Sequence, residues 1–317
     1  MEYRTLAFDI DGTIINNEGK VDSKVMALFN KADLNKTTFI FLTGGTSLNA
    51  LKALRLINKN LNNPTGKEIK AYYTSDCGAK IVSPDGKVIQ DNAFSTDEIF
   101  NIVEAVRNAD NGSAIIYATR NAYFIENQEH LKSGSFGRYV KNGVMLHLYK
   151  RSERKKGDMG IVINECNYVK DKQEIASFIA TNGEIASIFI APTSHDKDVK
   201  MQVLNSVKDA AQNHPLYSGR LACVAYDSKL SALKTILEIE KDNPKYADSV
   251  RQVVYFGDGT NDIEMLETCN LSIARGEKLK EKVVNAATIK LDDCTEFASK
   301  LYSGEYDQVI SGNEKTL

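Results

Sequence analysis

Two pairs of aspartates in this 317-residue sequence combine the residue types and the spacing that a metal site needs. Asp9 and Asp11 are two residues apart and precede Gly12, while Asp258 and Asp262 are four residues apart in a glycine-rich run. Like charges held close together cost free energy unless a cation or a proton relieves them. Proteins bind Mg²⁺ through one or two carboxylates together with waters and substrate phosphate, so the two pairs favour a magnesium–phosphate site.

A third run carries groups that bind phosphate. Thr43 precedes Gly44 and Gly45 at the start of a predicted helix, where a hydroxyl and exposed backbone N–H groups form a phosphate cradle. Each run by itself could be an ordinary turn or strand–helix connection, but their occurrence in order favours one shared site. The sequence has no GxxxxGK[ST] motif, and Gly257 and Gly259 lack the third glycine of a dinucleotide-binding fingerprint.

The elements that must position these runs are short apolar strands alternating with helical patterns. Strands are predicted at 6–10, 39–42, 253–256, 271–274 and 288–290, and helices at 24–31, at 47–57 and directly after Lys229. This alternation indicates an α/β domain with a mostly parallel sheet. Ligands bind at the carboxyl ends of such strands, and all three runs follow a predicted strand.

The middle of the chain has paired strands instead. A turn signal at 83–86 predicts a hairpin, and a second strand pair is predicted at 114–118 and 122–125. Further helices and strands follow, which is typical of a separate α+β domain. We therefore expect an α/β domain in two parts, with an α+β domain inserted between them. The expected boundaries are 1–83 for the first part, 84–215 for the insertion and 216–317 for the second part.

The composition fits a globular protein of about two domains and argues against several classes of partner. The 40 basic and 42 acidic residues give a net charge of −2, unlike the basic face of a nucleic-acid binder. No apolar run approaches the ~20 residues that span a bilayer, so no membrane partner is expected. Five scattered cysteines without CxxC spacing indicate neither a disulfide framework nor a zinc site, and we expect a reducing cytoplasm.

The motifs together resemble those of the haloacid dehalogenase (HAD) superfamily of phosphotransferases, and more narrowly its Cof-type, class IIB sugar-phosphatase branch. Residues 9–13 match the first family motif, 43–44 the second, 228–229 the third and 257–266 the fourth almost in full. The interval between the second and third motifs is far too long for a single crossover, so the insertion takes the family's C2 cap position. The resemblance implies a Rossmann-like core whose α+β cap decides substrate specificity.

The resemblance also implies a role for each site residue. Asp9 would be the nucleophile that forms an aspartyl-phosphate, and Asp11 the general acid and base. Mg²⁺ would be held by Asp9, the backbone carbonyl of Asp11 and Asp258, with Asp262 nearby. Four further residues would bind the phosphoryl oxygens: Thr43, Gly44, Lys229 and Asn261. An aspartate at position 11 is typical of phosphatases and mutases, whereas P-type ATPases have threonine there.

The implied function is Mg²⁺-dependent hydrolysis of a small phosphorylated metabolite, with sugar phosphates as the typical class. Two alternatives stay open: phosphoryl transfer by a phosphomannomutase-like phosphomutase, and metabolite binding without turnover. No sequence feature supports a structural or partner-binding role, and protein partners are unknown. Gly45 and Cys77 replace the arginine and the asparagine that are common at these family positions, so we expect the specificity to differ from that of typical members.

Overall fold

The protein forms two compact units. The computed structural model describes residues 2–16, 18–62, 66–120, 122–127, 163–167, 169–192, 197–218 and 221–313. Residues 1–91 and 228–317 form one unit, which we call the core unit, and residues 92–227 form the other, which we call the inserted unit. No helix in these described ranges is long and apolar enough to cross a membrane.

Strands and helices alternate along most of the core unit, and the inserted unit contains pairs of consecutive strands. The strands are β1 (Arg4–Phe8), β2 (Thr37–Leu42), β3 (Tyr72–Ser75), β4 (Lys80–Val82), β5 (Val88–Asp91), β6 (Ala114–Thr119), β7 (Tyr123–Asn127), β8 (Ile163–Asn167), β9 (Ile185–Ala191), β10 (Leu216–Ser218), β11 (Ala222–Ala225), β12 (Val254–Gly257), β13 (Leu271–Arg275) and β14 (Ile289–Leu291). The helices are α1 (Met26–Asn30), α2 (Ser47–Asn60), α3 (Thr96–Ala109), α4 (Lys172–Asn182), α5 (Lys197–Ala211), α6 (Lys229–Ile239), α7 (Ile263–Thr268), α8 (Glu281–Ala286), α9 (Thr295–Ser303) and α10 (Asp307–Ser311).

An eight-stranded, mostly parallel sheet forms the centre of the core unit, which confirms the predicted α/β architecture. Its strand order is β14-β13-β12-β1-β2-β3-β4-β5. The pairs from β14 to β3 are parallel, whereas β4 is antiparallel to both of its neighbours. The turn signal at 83–86 closes the β4–β5 hairpin, as predicted. The central strand β1 therefore lies between β2 and β12, the two strands that precede the other candidate runs.

Both faces of the central strands are buried, which explains their continuous apolar sequences. On one face Phe8 stacks on Phe256 with ring centroids 4.6 Å apart. Phe29 of α1 and Phe297 of α9 pack against these two rings. On the other face α6 and α7 pack on the sheet through an apolar cluster that includes Leu233. Because helices cover both faces, polar side chains collect at the strand ends.

The inserted unit contains a six-stranded mixed sheet with helices on one face. Its strand order is β10-β11-β9-β6-β7-β8, and the predicted β6–β7 pair is antiparallel. Helices α3, α4 and α5 pack against the sheet through Ile102, Phe178 and Val207, which join Ile115 and Ile188 in one buried cluster. Helix α3 begins with a capping box, which satisfies backbone donors at its N-terminus.

The junctions between the units lie later in the chain than the expected boundaries at 84 and 215. Strand β5 pairs with β4 at the edge of the core sheet, so the whole hairpin around 83–86 belongs to the core unit. Strands β10 and β11 pair with each other, and β11 pairs with β9, so 216–225 belongs to the inserted unit. A turn signal is local, whereas membership of a sheet depends on strand pairing between distant residues. The turn signal therefore marked a hairpin and not a domain boundary.

Candidate active site

Three neighbouring parallel strands bring the predicted residues to one edge of the core sheet. Asp9 follows β1, Thr43 follows β2 and Asp258 follows β12. Strand β1 pairs in parallel with both of the others, and the amide of Asp9 donates to the carbonyl of Phe256 at 2.8 Å. The three runs identified in the sequence therefore meet at the carboxyl ends of adjacent strands, where open α/β sheets bind ligands.

A buried lysine joins two of the acids. Lys229 is the first residue of α6, whose start is fixed by the side chain of Ser228 accepting from the amide of Ser231. Its Nζ lies 2.5 Å from Oδ1 of Asp9 and 2.6 Å from Oδ1 of Asp262. Burial alone would lower the pKa of Lys229, but the two carboxylates outweigh this effect and raise it. Lys229 is therefore an ammonium that bridges two carboxylates, with 1% of its surface exposed.

The carboxylate of Asp262 is fully buried and accepts four hydrogen bonds. Its Oδ1 accepts from Nζ of Lys229 and from the hydroxyl of Tyr255, both at 2.6 Å. Its Oδ2 accepts from the amides of Asp258 at 3.1 Å and Gly259 at 2.8 Å. A carboxylate offers about four lone-pair sites. These hydrogen bonds use the lone pairs of Asp262 to hold the 257–262 loop and to orient Lys229.

Tyr255 is a site residue that the sequence analysis missed. It was counted as one apolar position of the predicted strand at 253–256, and its ring does pack in the buried cluster below α6. Burial, followed by the charges of Asp262 and Asp9, raises the pKa of Tyr255 well above its ordinary value. The phenol therefore stays protonated and donates a hydrogen bond to Asp262. A tyrosine in a strand that runs directly into Gly257 and Asp258 was the available signal.

Three carboxylates form a cluster that fits a divalent cation. Asp9, Asp258 and Asp262 each offer an oxygen, and these oxygens lie within 4.8 Å of one another. Burial, followed by repulsion from Asp9 and Asp262, raises the pKa of Asp258 well above its ordinary value. A cation would relieve this repulsion, and carboxylate oxygens are ligands that Mg²⁺ prefers. Because Asp262 already accepts four hydrogen bonds, Asp9 and Asp258 are the better-placed ligands.

Asp11 differs from Asp9 in its exposure. Asp9 is 4% exposed, whereas Asp11 is half-buried. The chain turns sharply over residues 10–15. The amide of Gly12 donates to the carbonyl of Ile15, and the amide of Ile15 donates to the carbonyl of Ile10. The two carboxylates thus leave the strand in different settings. This separation suits one buried nucleophile and one proton carrier that solvent can reach.

The run that begins at Thr43 lies against Asn261 of the 257–262 loop. A Cβ atom added to Gly44 would lie 3.4 Å from Nδ2 of Asn261 and 3.2 Å from Sγ of Cys77. The hydroxyl of Thr43 is buried and accepts from the amide of Gly45 at 2.9 Å. A hydroxyl that accepts one hydrogen bond can still donate its own proton. Thr43 and Gly44 after β2 and Asn261 in the 257–262 loop therefore form one group of donors.

The turn after β3 contains Cys77 and is hydrogen-bonded to Gly45 after β2, and these are the two positions where this chain departs from the family pattern. The amide of Asp76 donates to the carbonyl of Gly45 at 2.8 Å. The amide of Cys77 donates to the carbonyl of Thr43 at 3.1 Å. Asp76 and Cys77 have φ angles of 51° and 59°, a left-handed conformation that costs non-glycine residues free energy. Burial raises the pKa of Cys77 to about 12, so this thiol stays protonated. Gly45 and Cys77 are thus joined in one backbone arrangement beside the phosphate-binding run.

Solved structures of similar fold come from several HAD proteins. A haloacid dehalogenase-like hydrolase from B. subtilis aligns with a TM-score of 0.65 and 18% identity, covering 95% of this chain and 99% of its own. A HAD phosphatase from Bacteroides thetaiotaomicron aligns with a TM-score of 0.64 and 18% identity, covering 97% and 96%. A sugar phosphatase of HAD subclass IIB aligns with a TM-score of 0.60 and 18% identity, covering 96% and 99%. At this level of identity the likeness shows a shared fold.

The amino-acid sequence shows which family this chain belongs to. No protein with a curated description matches this chain. The family model of the haloacid dehalogenase-like hydrolases matches residues 6–296, from within β1 to within α9. This range contains every residue of the buried cluster of Asp9, Lys229, Asp258 and Asp262. The chain belongs to the haloacid dehalogenase-like hydrolases.

Proposed function

We propose that this protein is a Mg²⁺-dependent phosphatase that hydrolyses a small phosphorylated metabolite through an aspartyl-phosphate. The observation that carries the proposal is the buried ammonium of Lys229, shared between Asp9 and Asp262 and close to Asp258. This cluster combines acids that attract a divalent cation with a fixed positive charge that attracts a phosphate dianion. It lies at the sheet edge where α/β enzymes bind their substrates.

Asp9 supplies the nucleophile in the proposed reaction. One of its carboxylate oxygens bonds to phosphorus as the bond from phosphorus to the leaving oxygen breaks, and Asp11 gives that oxygen a proton. In the second half, Asp11 takes a proton from water, whose oxygen bonds to phosphorus as the bond to Asp9 breaks. Inorganic phosphate is released and both carboxyl groups return to their starting states. The half-buried setting of Asp11 suits an exchange of protons with water better than the buried setting of Asp9 does.

Donors around the cluster stabilise the charge that develops on the phosphoryl oxygens. Lys229 offers its ammonium, Thr43 its hydroxyl, Gly44 its backbone N–H and Asn261 its side-chain amide. Such preorganised donors give the largest contribution to phosphoryl transfer, because little covalent work falls to the protein. Gly44 and Asn261 lie side by side, which supports a shared contact with one phosphoryl group.

The residues present fit a magnesium ion at the acidic cluster. Asp9 and Asp258 would hold it, and Asp262 would keep the 257–262 loop in place. When bound, the ion offsets the repulsion between the Asp9 carboxylate and the phosphate dianion. The hydroxyl of Thr13 donates to Oδ1 of Asp258 at 3.3 Å, which orients this carboxylate from outside the cluster.

The proposed substrate class is a sugar phosphate. The support is the likeness of fold to a protein described as a HAD subclass IIB sugar phosphatase, together with the insertion between the second and third motifs. We propose that the inserted unit, residues 92–227, selects the organic part of the substrate. The catalytic residues proposed above all belong to the core unit.

The direct test is release of inorganic phosphate by the purified full chain. We would measure turnover of p-nitrophenyl phosphate and of about a hundred phosphorylated metabolites, with Mg²⁺ and with EDTA. We expect sugar phosphates to give the highest kcat/KM and EDTA to remove turnover, with recovery on adding Mg²⁺. Absence of phosphate release from every compound would refute the proposal. Conversion of a hexose 1-phosphate into its 6-phosphate without phosphate release would instead identify a phosphomutase.

We also propose that the protein works in a reducing compartment, the cytoplasm. Four of its five cysteines are buried. A reducing environment keeps such thiols from mispairing during folding. Fractionation of the native host, with detection of the protein by an antibody, tests this assignment.

A further inference from the structure

One oxygen of Asp262 links a strand phenol to the site ammonium. Tyr255 lies on β12 with 0% of its surface exposed, and its hydroxyl lies 2.6 Å from Oδ1 of Asp262. Nζ of Lys229 lies 2.6 Å from the same oxygen and 2.5 Å from Oδ1 of Asp9. The hydrogen bonds thus run from Tyr255 through Asp262 and Lys229 to Asp9. Tyr255 is an outer member of this chain, with Asp262 and Lys229 between it and the proposed nucleophile.

The sheet explains why this tyrosine can reach the site. Side chains alternate along a strand, so Phe256 packs on Phe8 on one face while Tyr255 faces the cluster below α6. Lys229 begins that same helix, and Asp262 directly precedes α7, which packs on the same face. A phenylalanine at 255 would fill the same apolar space. The hydroxyl is therefore the part of Tyr255 that the core does not require.

Sharing of Oδ1 sets how strongly Asp262 attracts Lys229. Two donors to one acceptor oxygen compete for its negative charge, so each hydrogen bond is weaker than it would be alone, and electrostatic effects of this kind are larger in a low-dielectric interior. With the phenol in place, two donors divide the charge of Oδ1, and the ammonium can bind Asp9 equally well. Without the phenol, Asp262 would accept more strongly from Lys229. The ammonium would then shift towards Asp262 and away from Asp9.

We propose that Tyr255 is a positioning residue, which holds the ammonium of Lys229 against Asp9 by donating to Asp262. This inference rests on the proposed function, because it gives Lys229 a part in phosphoryl transfer. The ammonium serves the developing charge of the transition state more than the bound substrate. Loss of the hydroxyl should therefore lower kcat more than it raises KM.

The first experiment compares Tyr255→Phe with the wild type, using p-nitrophenyl phosphate at saturating Mg²⁺. We expect kcat to fall about tenfold, as for loss of one hydrogen bond to a charged group, with KM within about twofold. Two control variants each lose a tyrosine hydroxyl that donates to a carboxylate away from the site. The hydroxyl of Tyr117, buried in the inserted unit, donates to Glu126 at 2.6 Å, and that of Tyr72 in the core unit donates to Glu240 at 2.6 Å. Tyr117→Phe and Tyr72→Phe should lower the melting temperature and leave kcat and KM unchanged.

The second experiment observes Lys229 without turnover. In ¹H–¹⁵N spectra of the full chain, the side-chain ammonium of Lys229 is assigned by its absence in Lys229→Met. We expect its signal to shift in Tyr255→Phe and to stay in place in Tyr117→Phe. An unchanged kcat, or a lower kcat with an unshifted ammonium signal, would overturn the inference, because no effect would then pass through Lys229. If the wild type released no phosphate, the proposed function would fail, and the ammonium signal alone would decide the position of Lys229.

Discussion

A Cβ atom added to Gly12 would lie 2.2 Å from Oδ2 of Asp258. The backbone of Gly12 also has a φ of +94°, which side chains other than glycine rarely adopt. The turn after β1 therefore lies close to the carboxylate of Asp258, the proposed metal ligand that follows β12.

We predict that Gly12→Ala displaces Asp258 and lowers the affinity for Mg²⁺ by about 10- to 100-fold, the range found for changes beside metal ligands. Calorimetric titration with Mg²⁺ and the Mg²⁺ dependence of phosphate release both measure this. Gly86→Ala is the matched control, since Gly86 has a φ of +86° but no atom within 4 Å of an added Cβ. It should lose about 1–2 kcal/mol of stability from backbone strain and bind Mg²⁺ normally. Equal losses of Mg²⁺ affinity in the two variants would contradict the argument.

Asp9→Asn tests the proposed nucleophile. An amide cannot attack phosphorus as a carboxylate does, and Lys229 would lose one of its two charged partners. We expect kcat/KM to fall by about 10⁴-fold or more, as when a covalent nucleophile is removed. The exposed Asp242 offers a control in Asp242→Asn, which should retain full activity. Phosphate release at more than a few per cent of the wild-type rate would rule out Asp9 as nucleophile.

Asp22 should make stability depend on pH. Burial would raise its pKa, but the hydrogen bonds from Arg275 and from the amide of Lys24, together with the charges of both residues, outweigh this effect and lower the pKa. A depressed pKa adds stability above the ordinary carboxyl pKa of about 4, and the addition is lost as pH falls through the pKa of the folded protein.

We therefore expect Asp22→Asn to be less stable than the wild type by about 1–3 kcal/mol at pH 7. The difference should shrink as the pH falls from about 4 through the lower pKa that Asp22 has in the folded protein. Urea unfolding at a series of pH values measures both free energies. A difference that stays constant across the series would show that the charge of Asp22 contributes nothing.

The inserted unit contains a buried ion pair with a separate prediction. Both oxygens of Glu126 accept from Nη2 of Arg107, at 2.9 and 3.0 Å, and Glu126 also accepts from the amide of Val169. Glu126→Gln removes the charge of the buried carboxylate that Arg107 donates to, and removing one partner of a buried ion pair typically costs about 3–5 kcal/mol. Glu238→Gln removes an exposed pairing with Lys241 and should cost less than about 1 kcal/mol. Urea unfolding of both variants makes the comparison, and equal losses would show that burial does not strengthen the pair.

The sequence predicts the core of the site because its motifs are local. Asp9, Thr43 and Asp258 each follow an apolar strand, and the parallel order of these strands brings them together. The β4–β5 and β6–β7 hairpins were likewise predicted from turn signals and alternation. In each case a few neighbouring residues determine the structure.

The remainder depends on contacts between distant residues. The hydrogen bond of Tyr255 depends on where Asp262 lies after the loop turns back, and an apolar strand pattern does not show this. The four donors to Asp262, which favour an orienting role over metal binding, include Lys229 from another helix. The junctions between the units follow from the pairing of β5 with β4 and of β11 with β9. Composition and turn signals carry no information about such pairings.

Strand β1 obtains its two neighbours from opposite sides of the insertion, since Leu6 pairs with both Phe39 and Val254. During synthesis β2 follows soon after β1, but β12 leaves the ribosome only after the whole inserted unit. Until then one edge of an apolar strand has unpaired N–H and C=O groups, which can pair with other chains. The nascent chain is therefore prone to aggregation while residues 92–227 are being translated. Slower translation of that segment lengthens the time during which the chain needs a chaperone.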